Sequence, residues 1–324
     1  MRVHYALLVA VALTSGCAWS AASARPTPLP SPSAIALYAN LVTRIGPFNT
    51  PEAVAAGFGS IWVPSHRGGT LFRIDPITNK ATEIHGVNAF ATTGVVVFGA
   101  GSVWIGVWPP TTGREWIRVD PSSNAITARI AVAGRGAFGG GYLWLYDGVE
   151  LFQVDPATDT VIDSIKVTKP DSLTDVAYGA GSVWVATSES GVFRLDPTTK
   201  KTIARIDTVA WLVESDGTEV WTVDVATGSV SRIDTMANRV AATVDTGRPG
   251  SATEGVFAKI VGGITLVYGV GLLTVLDTAS ATIVKQYELL PGDGSTDVEV
   301  AFGSLWIANF GNDDVSRFRW PLAG

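Results

Sequence analysis

The chain has 324 residues, 47% of them hydrophobic and 16% charged, with 35 Gly, 17 Pro, 11 Trp and one Cys. That apolar content excludes a fully disordered or collagen-like chain, and low charge with abundant Gly, Val and Thr and only two Met points to short strands and turns rather than helices. Lys and Arg total 23 and Asp and Glu 29, a net charge of −6, so there is no electrostatic basis for expecting nucleic acid as a partner.

Arg2 precedes an apolar run from Tyr5 to Leu13, too short to span a bilayer and placed like the apolar region of a secretory signal. Residues 1–24 are therefore expected to be a signal peptide with two alternative exits. One is cleavage after Ala22-Ser23-Ala24. The other is the run Leu13-Thr14-Ser15-Gly16-Cys17, which resembles a bacterial lipobox except that Thr14, rather than Leu, stands three before the cysteine. In that case cleavage precedes Cys17 and the lipid sits on it. As the only cysteine, Cys17 has no intramolecular disulfide partner. Cleavage after Ala24 removes Arg2 and no acid, which leaves 22 basic and 29 acidic residues and a charge of −7. Residues 25–37 open with alternating prolines, Pro26, Pro28, Pro30 and Pro32, and read as an extended tether; residues 38–324 remain for the folded domain.

The folded part is built on an internal repeat. A Gly-x-Gly-Ser-apolar-Trp-apolar block occurs at Gly57–Val63, Gly99–Ile105 and Gly179–Val185, with variants around Trp144, Trp221 and Trp306. The tryptophans at 62, 104, 144, 184, 221 and 306 are spaced by 42, 40, 40, 37 and 85 residues, and a degenerate copy without Trp, Val261–Val267, fills the double gap. Seven units of about forty residues result. After each of the first six blocks comes an apolar-Asp-Pro or apolar-Asp-Thr step, at Asp75, Asp120, Asp155, Asp196, Asp234 and Asp277. Asp followed by Pro suits a type I turn in which the carboxylate accepts local N–H groups, so these aspartates read as turn formers and leave the set of catalytic candidates.

Each unit reads as four strands, and four strands per forty residues predicts an all-β, seven-bladed β-propeller of antiparallel blades. The recurring Trp then belongs to the core between blades. The seventh unit ends near Trp320 without a closing strand, while Leu41–Ile45 precedes the first block as an orphan strand. The N-terminal strand is expected to complete the last blade, which leaves no open seam between first and last units.

The blocks resemble YVTN, NHL and streptogramin-lyase-like propeller repeats over residues 41–320, most closely where Gly-Ser-apolar-Trp-Val is followed about ten residues later by Arg-apolar-Asp-Pro. The resemblance implies the fold. Relatives include virginiamycin B lyase, whose chemistry uses a divalent metal with His and Glu on one face, and noncatalytic extracytoplasmic binding or scaffold proteins, so the architecture alone leaves function open.

Counting back nine and seven residues from each Trp selects positions on one side of the strand that lines the central channel. The set contains Arg135, Asp175, Asp297, Glu214 and Glu299. These groups either form a site for a cation or polar ligand or are solvated charges paired to Arg135. On the loop face, His66 lies in Pro64–Thr70, and Trp108 and Trp116 flank a loop ending in Arg114, where stacking on a sugar or peptide competes with packing across the blade. Past residue 24 only His66 and His85 are available for metal chemistry, and no late His accompanies Glu299 as the lyase resemblance would require. Asn312-Asp313-Asp314 lacks the remaining ligands of a calcium loop and reads as a polar turn.

The combined expectation is a secreted or lipid-anchored extracytoplasmic monomer that binds an envelope protein, peptide or glycan through its loop face without catalysis. It meets a membrane only through a lipid on Cys17 and binds no nucleic acid. The alternative is a metal-dependent lyase or hydrolase, with a divalent cation near Asp297, Glu299 or His66.

Overall fold

Two features of the repeat dictate the first hairpin of each blade. In the Gly-x-Gly turn both the middle residue and the second glycine adopt positive φ, as at Phe58 (53° in the Phe302 copy, 51° here) and Gly59 (70°), the pairing that a right-twisted two-residue hairpin requires. The first glycine answers to a different demand: a Cβ on Gly99 would lie 2.0 Å from the ring of Phe138 in the next blade. The Trp strand that follows alternates little and is buried throughout, as a strand covered on both faces must be.

The computed structural model describes residues 35–320 apart from Phe90, 111–112, 168–171, 248–255, Val270 and 290–293. The expected signal peptide, Cys17 and most of the expected tether lie outside the described residues. Seven antiparallel sheets form a ring. Their inner strands are Ala55–Gly57, Ala91–Gly99, Gly136–Gly139, Leu173–Gly179, Leu212–Ser215, Phe257–Val261 and Ser295–Ala301, which define blades 1 to 7 in that order. Blade 2 continues through Ser102–Trp108, Glu115–Asp120 and Ala125–Ile130 from axis to rim, and the other blades follow the same meander.

Blade 7 takes its rim strand from the other end of the chain: Leu41–Ile45 pairs antiparallel with Asp314–Arg319. The chain contributes one strand more than the repeat predicts. Ile35–Ala36, within the stretch read as tether, pairs parallel with Tyr287 and Glu288 and extends the rim of blade 6.

Among the described residues seven apolar clusters make up the core, and each spans one junction between blades. Trp62 packs with Val103 and Ile105 between blades 1 and 2, and Trp306 with Ile61 and Val63 between blades 7 and 1. All six repeat tryptophans are fully buried. Between blades 6 and 7 the Trp position is held by Leu266, and Leu37 from the N-terminal segment and Trp320 from the C-terminal end join the cluster there. Segments near both ends of the described chain thus fill the junction that lacks a repeat tryptophan.

On the turn side a polar latch accompanies this packing. Arg118, two residues before the turn aspartate Asp120, donates from Nε to the Ser102 hydroxyl (2.8 Å) and from a terminal nitrogen to the Pro156 carbonyl (2.7 Å) and Asp159 (2.9 Å) of the next blade. Its guanidinium lies 5.0 Å from the Trp104 ring centre. Arg73, Arg194 and Arg317 repeat the arrangement. The Ser of the block therefore anchors the arginine where both are present. Blade 5 has Glu219 in the serine position and Arg232 bonds to it at 3.0 Å; blade 6 has Ile264 and Val275 instead. The turn aspartates behave as expected, Asp75 accepting the N–H groups of Ile77 (2.7 Å) and Thr78 (3.0 Å), and these bonds hold its carboxyl below the usual range.

Candidate functional site

The pairing register fixes which side chains face the axis. Opposite each Trp on the inner strand stand Ala55, Val97, Ala137, Ala177, Glu214 and Glu299, the positions seven residues back. In blade 6 the partner of Leu266 is Lys259, at the same offset. Two residues earlier stand Arg135, Asp175 and Asp297.

All seven blades contribute to one axial cavity of about 440 Å³. Its apolar wall includes Val95, Val97, Ala137 and Phe257, and its polar wall includes Glu52, Arg135, Asp175, Glu214, Lys259 and Asp297. Glu299 stands behind this wall and reaches it through Lys259, whose Nζ lies 3.1 Å from Glu299 Oε2 and 3.7 Å from Asp297 Oδ2.

Most of these charges are consumed in holding inner strands together. Asp297 accepts the Val54 N–H (3.0 Å) and the Tyr268 hydroxyl (2.6 Å), Glu299 accepts the Ala56 N–H (3.2 Å), and Lys259 donates to the Val54 carbonyl (2.8 Å). Blades 6 and 7 are thereby bonded to the inner strand of blade 1, at the point where the ring closes. Burial lowers the Lys259 ammonium, but Asp297 and Glu299 outweigh it and hold the group well above its ordinary value. Burial pushes the Tyr268 hydroxyl far up, and Asp297 beside it adds to the effect. Asp175 links blades 4 and 5 in the same way, through the Val213 N–H at 3.1 Å, and also accepts Arg135 Nε at 3.0 Å. Burial raises the Asp175 carboxyl against the opposing pull of Arg135, while Asp175 raises Arg135.

Three groups on the wall are not spent. Among the described residues no partner bonds the terminal nitrogens of Arg135 or the carboxyl of Glu214, and Glu52 Oε2 is buried without a donor. Burial and the neighbouring Asp175 push the Glu214 carboxyl up to about 8, against the opposing charges of Arg135 and Lys259.

His66 is not on the wall but stands behind Glu52, with Nδ1 3.0 Å from Glu52 Oε1 and 3.3 Å from the Thr92 carbonyl. Burial raises the Glu52 carboxyl and His66 opposes the rise. Trp108 lies away from the cavity, its ring 4.0 Å from the Arg114 guanidinium, and Trp116 is fully buried between blades 2 and 3. The structure therefore gathers Arg135, Asp175, Glu214, Asp297 and Glu299 around the axis, attaches His66 to the same wall through Glu52, and leaves Trp108 on the loop side. Among the described residues no three His, Cys, Asp or Glu side chains are placed to hold a metal ion.

Sequence reasoning missed Lys259, Tyr268 and Glu52. Blade 6 has no Trp from which to count, yet Leu266, aligned through its Gly262-Gly263 turn, selects Lys259 at the same offset of seven. Glu52 precedes its inner strand, and Tyr268 belongs to the second strand of blade 6, so the offset rule reaches neither.

The chain has the architecture of a seven-bladed β-propeller, and solved structures share it. BamB from Moraxella catarrhalis superposes with a TM-score of 0.58 at 13% identity over 85% of this chain and 84% of that one. The extracellular domain of a putative one-component system from B. thetaiotaomicron gives 0.63 at 13% identity, over 83% and 40%. Hydrazine synthase from Kuenenia stuttgartiensis gives 0.66 at 12% identity, over 86% and 97%. No protein-family model matches the chain, and no curated protein does. At such identities the likeness establishes the fold and nothing finer.

Proposed function

We propose that the protein is a noncatalytic binding propeller of the cell envelope whose site is the axial cavity. The observation that carries this reading is the pairing of rigidity with unspent polarity: a cavity of about 440 Å³, within the range of small-molecule sites, keeps the Arg135 terminal nitrogens and the Glu214 carboxyl without partners among the described residues, while Asp175, Lys259 and Asp297 beside them are bonded. An extracytoplasmic setting is supported by the apolar run Tyr5–Leu13 ahead of the proline-rich segment, and one structural neighbour is itself an extracellular domain. Family membership among YVTN or streptogramin-lyase-like repeats rests on the block motif alone. The metal-dependent lyase or hydrolase reading gains no observation, because His66 Nδ1 is engaged with Glu52.

A thermal-shift and calorimetric screen of small charged molecules, sugars and short peptides tests the reading. A ligand should raise the melting temperature, and Ala137→Phe, which places a ring in the cavity, should abolish that shift while leaving the unliganded protein folded. Ligands whose binding is indifferent to Ala137→Phe would move the site to the loop face.

A further inference from the structure

We infer that the axial cavity selects a small zwitterion, a free α-amino acid in chemical class, by holding its carboxylate on Arg135 and its ammonium on Glu214. This deepens the reading above and rests on it.

The argument begins from what each charged group in the cavity has left to offer. Lys259 is fully committed to the Val54 carbonyl, Glu299 and Asp297. Tyr268 donates its hydroxyl hydrogen bond to Asp297, and Asp175 and Asp297 accept backbone N–H groups. Arg135 is different. Its Nε alone is held, by Asp175 Oδ1 at 3.0 Å, and this bond fixes the plane of the guanidinium while leaving the two terminal nitrogens toward the cavity. A guanidinium fixed at one edge and open at its end presents paired donors, the geometry that a carboxylate accepts with both oxygens.

Glu214 sits on the neighbouring blade but one, beyond Asp175, on the same cavity wall. Its carboxyl has acceptor capacity and no donor among the described residues, and Glu52 Oε2, also on the wall, has none either. An acidic acceptor with no donor matches an ammonium, which brings three N–H groups and a charge. A ligand with only a carboxylate would leave Glu214 unanswered, and one with only an ammonium would leave Arg135 unanswered. The apolar part of the wall, Val95 and Val97 on blade 2, Ala137 on blade 3 and Phe257 on blade 6, offers a surface suited to a short aliphatic side chain.

The groups facing Glu214 set how binding responds to pH. They are Asp175 and Asp297, which raise it, and Arg135 and Lys259, which lower it, with burial the largest influence and a net position of about 8. Near neutrality Glu214 is mostly protonated in the free protein, so an arriving ammonium must expel that proton. Affinity is expected to rise from pH 6 to pH 8 with release of about one proton per ligand, and the Glu214→Gln variant is expected to lose that dependence.

The test is calorimetry on the wild-type chain with a panel of L-amino acids, their N-acetyl derivatives, which lack the ammonium, and their amides, which lack the carboxylate. Both derivatives are expected to bind at least tenfold more weakly than the parent. Arg135→Gln should abolish the preference over the amide and keep the preference over the N-acetyl form, and Glu214→Gln should do the reverse. The wild-type comparison needs no variant, so a variant that fails to fold leaves the test intact. Equal binding of parent and derivatives overturns the zwitterion assignment but leaves a binding cavity. No binding by any amino acid also overturns it, and propionate and ethylammonium, run alongside, then report whether the cavity binds singly charged molecules at all. If these too are silent and the wider screen gives no ligand sensitive to Ala137→Phe, the binding reading itself falls.

Discussion

Arg73 in blade 1 reaches Asn124 in the turn of blade 2, donating to its Oδ1 at 3.0 Å while the guanidinium lies 5.2 Å from the centre of the Trp62 ring. The same residue donates from Nε to the Ser60 hydroxyl at 2.8 Å, so one side chain joins the start of its own Trp strand to the turn of its neighbour. The acceptor sits four residues after the turn aspartate and has positive φ, 58° at Asn124, which Asn adopts more readily than most residues. Where the next blade has Lys200 or Ala281 at that place, the preceding blade has Gln153 or Arg232 turned to Glu219, and the latch is absent. Arginine on one blade and an amide or carboxylate on the next are therefore two halves of one device.

Removing either half should cost similar amounts. Arg73→Ala and Asn124→Ala are each expected to destabilise the ring by about 1–3 kcal/mol, the range for hydrogen bonds involving a charged group. In a double-mutant cycle read by urea denaturation, the two losses should be less than additive. Additive losses would mean that the arginine acts through Trp62, Ser60 and the Pro121 carbonyl and not through Asn124.

The junction between blades 6 and 7 depends on the chain ends. Leu37 is fully buried there beside Tyr287 and Phe318, and Tyr38 meets the Phe318 ring edge-on at 5.3 Å. Leu37→Ala is expected to cost about 2–5 kcal/mol through the cavity it opens, as much as a truncation of a residue in the middle of the core. Hydrogen exchange should then accelerate first in the rim strand Thr282–Glu288, which Ile35–Ala36 covers. A loss below about 0.5 kcal/mol, the range for surface substitutions, would place this segment outside the cooperative unit.

Much of this architecture is legible in the sequence because it repeats. Six copies of a Trp block, a seventh without the Trp, and six copies of an Asp turn fix blade number, strand order and closure by Leu41–Ile45. The inner-strand offset also locates Arg135, Asp175, Glu214, Asp297 and Glu299, since strand alternation carries side-chain direction a few residues without error. What escapes is whatever depends on a partner in another unit. Whether Asp297 is a ligand or a staple is decided by the Val54 amide, 243 residues away in the chain. Trp108 and Trp116 look alike in sequence, yet one lies beside Arg114 and the other is sealed in the core. Ile35–Ala36 reads as tether because two residues after a proline run carry no strand signal of their own; only the rim of blade 6 gives them one.

Gly99 tests the close approach of neighbouring blades. An added Cβ would stand 2.0 Å from the Phe138 ring, far inside contact distance, although the glycine itself has no unusual φ. Gly99→Ala is expected to destabilise by about 1–3 kcal/mol through overpacking, and Phe138→Leu in the same chain should recover part of the loss. If Phe138→Leu adds its own penalty in full, the clash is relieved by some other movement.

Stability against pH separates the structural from the unspent carboxylates. The turn aspartates Asp75, Asp120, Asp196, Asp234 and Asp277 are held below their ordinary value by bonds to nearby backbone and hydroxyl groups. Their contribution is present above the unfolded value and disappears as pH falls through the folded one. Glu214 has the opposite sign. Its folded value of about 8 lies above the ordinary 4.5, so the folded state binds its proton more tightly, and the stability it contributes is complete below about pH 4.5 and lost as pH rises through 8. Glu214→Gln should therefore flatten the decline between pH 5 and pH 8.5, gaining about 2–4 kcal/mol on wild type at the alkaline end, while the acid limb stays as it was. Melting curves of the two proteins across that range make the comparison. Parallel curves would show that Glu214 ionises as freely in the ring as in water, and the acceptor assigned to the ligand ammonium would then be a solvated carboxylate.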